Sequence, residues 1–170
     1  MILRSLAFVV AVSLASAAEL AAQSKPPVEG VWKVAEVQVI GGANPGTNSS
    51  PQPSLYIFTR GHYSIMSVNG DQPRTATPGQ GRGRGQAPLT DADKIALYDH
   101  WGPFTANSGT YTIAGNTLMT KALVAKNQGV MDGAPQAREF KIEGGTLWLI
   151  AKPAAGQTGA ETRTKLTRLE

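Results

Sequence analysis

Cysteine is absent from the 170 residues. That excludes disulfides, a lipid-attachment cysteine and thiolate metal centres, so packing alone must hold the fold together. Histidine is almost absent too: His62 and His100 are the whole complement. With no His-x-His or His-Glu-x-x-His spacing, a transition metal has no ligand set to start from. No metal and no cofactor is expected, and His62, beside a turn, reads as an ordinary surface histidine rather than a haem ligand. Charged residues make up only 16% of the chain and the formal net charge is +4. Neither a Gly-x-Ser-x-Gly elbow nor a phosphate loop nor a dinucleotide fingerprint occurs, which removes the common hydrolases and nucleotide enzymes.

Long apolar runs are missing except near the start, where Leu6 to Ala18 follows Met-Ile-Leu-Arg. That run is shorter than the ~20 residues needed to cross a bilayer. Residues 1–22 therefore read as a cleaved export signal, with cleavage between 17 and 24. Residues 23–29 read as a linker and 30–170 as one domain, large enough for a core of its own. The expected product is periplasmic or secreted, monomeric, and without a stable membrane anchor.

What is present is alternation. Period-two stretches punctuated by Gly, Asn and Pro predict strands at Val31–Ile40, Leu55–Thr59, His62–Val68, Gly109–Ile113, Thr117–Ala125, Arg138–Glu143, Thr146–Lys152 and Thr162–Leu169. If Arg60-Gly61 is a two-residue turn, Phe58 faces Tyr63 and Tyr56 faces Ile65, which puts the aromatic side chains on one face. Leu55, Ile57, Ser64 and Met66 then share the other, which also needs cover. In the second hairpin Ile142 meets Leu147 and Phe140 meets Leu149. Arg138 has two readings, inward and holding an anionic head group or outward and paired with a neighbouring acid, and the outward one is expected.

One segment has helical spacing. Thr90 and Asp93 form a capping box, Asp91 and Asp93 favour the positive end of the helix dipole, and Gly102-Pro103 stops the helix. Ala92, Ile95, Tyr98 and Trp101 make an apolar stripe expected over a barrel mouth or wall. Asp91, Asp93, Asp99 and His100 read as a solvated face rather than an acid/base cluster. The stretch 71–88, which contains GQGRGRGQAP, reads as a mobile loop. Its few arginines are too sparse for a nucleic-acid interface, so no nucleic-acid partner is expected.

GVWKV, SLYIFTRGHYSIMSV, SGTYTIAGNTLMTK and IEGGTLWL through KLTRLE together resemble the lipocalin-like proteins of bacteria, over Gly30 to Glu170. The resemblance implies an up-and-down antiparallel β-barrel of about eight strands with an internal cavity and one short helix. It also implies that Trp32 closes one end, with Arg168 laid across its ring, a contact worth ~0.5 to 2 kcal/mol. The long Gly/Arg loop departs from the family pattern.

Tyr56, Phe58, Tyr63 and Tyr111, with Trp148, have two readings: a filled core, or the ring-lined wall of a cavity. Phenols and indoles need polar partners when buried, which favours the cavity. The expectation is an exported barrel binding a small hydrophobic or amphipathic molecule through Tyr56, Phe58, Tyr63 and Tyr111, with no catalytic residues assigned. Alternatives are a cyclase or isomerase that works by confining its substrate, or an interaction module without a ligand.

Overall fold

The computed structural model describes residues 26–74 and 88–170. The segment expected to be an export signal, 1–22, lies outside them, as does GRGRG, the centre of the segment expected to be a mobile loop. The chain runs β1 (Gly30–Ile40), β2 (Gly46–Asn48), β3 (Ser54–Thr59), β4 (His62–Val68), α1 (Asp91–Trp101), β5 (Phe104–Ala114), β6 (Thr117–Ala125), α2 (Gln128–Asp132), β7 (Gln136–Glu143), β8 (Thr146–Ala151) and β9 (Glu161–Arg168).

Eight of these strands close into an antiparallel barrel. Each pairs with the next from β3 to β9, and β1 closes the ring by pairing with β9 along one edge and with β3 along the other. Closure removes the exposed sheet edges that an open arrangement would leave. The short β2, hidden in what reads as a loop of Gly, Asn and Pro, lies beside the second half of β1.

The turns are built as their residues dictate. Arg60 and Gly61 both have positive φ (46° and 76°), as do Gly144 and Gly145 (52° and 80°), the geometry that matches the twist of a two-residue hairpin. The β3–β4 register follows directly, with Phe58 opposite Tyr63 and Tyr56 opposite Ile65. Phe140 likewise opposes Leu149, and Ile142 opposes Leu147.

Three differences from the sequence expectations have physical causes. β5 begins at Phe104, five residues earlier than the apolar alternation suggests, because Phe104 to Ser108 pairs with β4 through backbone groups that need no apolar side chains. The stripe on α1 is not buried: Ile95 is 62% exposed and Tyr98 79%, and no residue of the helix is buried. Capping holds that helix instead. Thr90 and Asp93 form the box, and Lys126 Nζ donates to the carbonyls of Trp101, Gly102 and Phe104 at the other end. Trp148, finally, stands on the outer wall between Leu147 and Leu149, which face in, and Lys165 Nζ lies 5.6 Å from its ring.

The core fills one end of the barrel. Trp32, Phe58, Leu118, Leu147 and Leu166 are fully enclosed there, with Val28 beneath them. Residues 26–29, ahead of β1, fold under this end rather than trailing from it. Trp32 Nε1 donates to the Val28 carbonyl at 2.9 Å, and the buried Glu29 carboxylate accepts from the Arg60 amide at 2.7 Å.

Candidate functional site

At the end opposite Trp32 the barrel is hollow. β1 and β3 pair only from Gly30 to Trp32, opposite Phe58 to Tyr56. Beyond that the strands part, and the Val34 amide reaches β3 through the Ser54 hydroxyl at 2.9 Å. A bulge between Val34 and Glu36 resets the alternation, so Val34, Val37 and Val39 all line the interior. The outcome is a cavity of about 960 Å³ that opens to solvent, walled by these valines with Tyr56, Thr162 and Thr164. Valines give its lining most of its apolar surface, with hydroxyls and amides among them, and Asp71 is the single acid on it among the described residues. Orienting a ligand needs few polar groups of this kind in a mostly apolar wall.

The structure separates the four rings expected to face a ligand. Tyr56 lines the cavity. Phe58, Tyr63 and Tyr111 belong to the core below it, where Phe58 stands 6.5 Å from Tyr63 and edge-on to Tyr111 at 5.6 Å. Tyr111 OH points away from the cavity towards Glu29, 3.5 Å from Oε1. Tyr56 and Tyr63 differ from it: neither hydroxyl has a protein partner among the described residues, and neither is sealed from water.

Arg138 is found where a charge is least expected. It opposes Leu118, which is fully buried, and alternates with Phe140 and Ile142, both packed on the core. It therefore faces inward, which overturns the expectation of an outward Arg138 paired with an acid. The outer acid beside it, Glu139, is held by Lys152 at 2.7 Å. Arg138 donates to Gln136 Oε1 at 3.0 Å and forms no ion pair among the described residues. Its guanidinium acts on the two open phenols. Burial raises the pKa of Tyr56 and of Tyr63, and the Arg138 charge opposes that rise in both. The parity of Arg138 with Phe140 and Ile142 is a sequence signal that places it inside.

Trp32 and Arg168 are brought together at the closed end. They pair directly across β1 and β9, with the guanidinium carbon 4.1 Å from the ring centre. Arg168 Nη1 also donates to the Glu29 carbonyl at 2.8 Å. His62 and His100 stand apart from the cavity, and no three His, Asp or Glu side chains cluster as metal ligands among the described residues.

The fold and site thus define a closed antiparallel β-barrel, plugged at one end and hollow at the other. No family model matches the chain, and no curated protein does. Among solved structures it is similar to an uncharacterised protein from Bacteroides eggerthii. That likeness has 10% identity and a TM-score of 0.42 and covers 82% of this chain and 98% of the other.

Proposed function

We propose that this protein is an exported carrier that binds a small hydrophobic or amphipathic molecule in the open half of the barrel. The supporting observation is the cavity of about 960 Å³ between the splayed β1 and β3, walled by Val34, Val37, Val39 and Tyr56. Pockets of ~300 to 1,000 Å³ hold drug-sized molecules, and aliphatic walls favour apolar ones. The separation of roles within the barrel supports the same reading. Trp32 and its neighbours supply the packing, so the other half is free to stay hollow without unfolding the protein.

The test is titration with the neutral dye N-phenylnaphthylamine. Its fluorescence should rise on binding to the wild-type protein and stay flat with Val37→Trp, in which an indole occupies the cavity. Equal enhancement by both proteins places the dye elsewhere and refutes the reading.

A further inference from the structure

We propose that the barrel interior carries an anion subsite, made by the Arg138 guanidinium with the hydroxyls of Tyr56 and Tyr63, that holds the carboxylate of an amphipathic ligand. The inference rests on the carrier reading and names the chemistry of the cargo.

Three facts meet at this place. Arg138 is an inward cation whose hydrogen-bond partner among the described residues is the Gln136 amide oxygen. Tyr56 and Tyr63 supply two hydroxyls that reach water-accessible space and bond to nothing among the described residues. Beside Tyr63 in register stand Gly109 and Ala122, small buried residues that leave the phenol uncrowded on that side.

All three groups are hydrogen-bond donors, and no carboxylate of the described chain answers them. Arg138 lies half-buried beside the enclosed Leu118 with no acid to answer it among the described residues, and an anion that brings its own charge pairs with it. A phenol is protonated at neutral pH and burial favours that form further in both, so they donate rather than repel. The charge count selects the anion: one guanidinium matches a singly charged carboxylate, whereas a phosphate monoester carries nearly twice that charge. The register also connects the subsite to the cavity. One step beyond the Glu139–Ile150 pair, Arg138 comes level with Ala151, which pairs with Thr162, itself opposite Val39. Thr162 and Val39 line the cavity wall. A ligand with its head at Arg138 lays its tail along the valines.

The experiment is calorimetric titration at neutral pH with dodecanoate, dodecan-1-ol and dodecyl phosphate, which share a tail and differ in the head. The wild-type protein should bind dodecanoate about tenfold to a hundredfold more tightly than the alcohol, as a charge-assisted pair implies. Arg138→Met should erase that gap and keep the alcohol's affinity. Should Arg138→Met fail to fold, Tyr56→Phe with Tyr63→Phe must narrow the gap severalfold instead. Alcohol and acid binding equally well to the wild type overturns the subsite while the carrier stands. Dodecyl phosphate binding most tightly overturns the carboxylate assignment. Binding of none of the three sinks subsite and carrier together.

Discussion

The guanidinium of Arg168 lies over the indole of Trp32, 4.1 Å from carbon to ring centre, on residues that pair directly where the last strand meets the first. The glycine two residues before Trp32 belongs to the same arrangement. Gly30 has φ +145°, and a Cβ there would run into Arg168 Nη1 and lie 2.8 Å from the Glu170 carbonyl oxygen. Gly-x-Trp at the start of β1 is thus a space requirement. The glycine leaves room for the cation that covers the tryptophan and ties residues 26–29 to the C-terminal strand.

Arg168→Ala removes both the ring contact and the charged donor to the Glu29 carbonyl. We expect a loss of about 2 kcal/mol, from the usual size of a cation–π contact and a charge-assisted hydrogen bond. Urea denaturation followed by fluorescence measures it. Arg168→Lys should recover only part, because an ammonium does not offer the planar face that stacks on an indole. A midpoint unchanged in Arg168→Ala means that barrel closure does not depend on this pair.

Gly109 presents a different constraint, one of distance rather than φ. At the bulge between β5 and β6 its missing Cβ would fall on the Lys121 carbonyl oxygen, 2.9 Å from Ala122 Cα. Backbone atoms cannot swing away as a side chain can, so Gly109→Ala should cost about 3 kcal/mol, at the upper end for overpacking. Gly70→Ala meets no atom of the described residues but sits at φ +88°, and the backbone term of ~1 kcal/mol decides there. Thermal unfolding of the two variants should therefore rank Gly109→Ala well below Gly70→Ala. The reverse order contradicts the close approach of β5 and β6.

Hairpins and their registers were legible because they depend on local chemistry: a glycine that tolerates positive φ fixes the turn, and alternation fixes the face. What failed had no local signature. β2 and the first residues of β5 are paired through backbone in polar sequence, and α1 holds a helical stripe that stays largely exposed among the described residues. The stripe's spacing was real, but spacing says where side chains project and not whether a partner exists. For Arg138 two signals conflict, charge pointing out and parity with Phe140 and Ile142 pointing in, and parity wins because the strand cannot flip one residue alone. Trp148 is the mirror case, a large ring on the outer parity between two inward leucines. The cavity itself arises from a bulge between Val34 and Glu36, which breaks the alternation on which any reading of β1 depends.

Alkaline pH should weaken the fold in a way that reports on the enclosed phenols. Burial raises the pKa of Tyr56, Tyr63 and Tyr111 above the ordinary 10.0, and the neighbouring Glu29 adds to the rise at Tyr111. A phenol whose folded pKa is raised favours the native state while protonated. That stability is whole below pH ~10, where unfolded tyrosine ionises, and is lost as pH rises through the folded values. The urea midpoint should accordingly hold from neutral pH to about 9.5 and fall above ~10. Tyr111→Phe should make the fall shallower. A wild-type midpoint that stays level well above pH 10 contradicts the placement of these hydroxyls.

The central claim is that the half of the barrel away from Trp32 is hollow in order to hold a molecule. Native mass spectrometry of the protein purified from its own host tests it most directly, in parallel with Val37→Trp. The account predicts that the wild-type protein retains a noncovalent mass of lipid size and that the variant, folded but filled, flies without it. A wild-type protein that carries nothing and takes up no apolar probe when offered one, or a variant that retains the same mass, contradicts it.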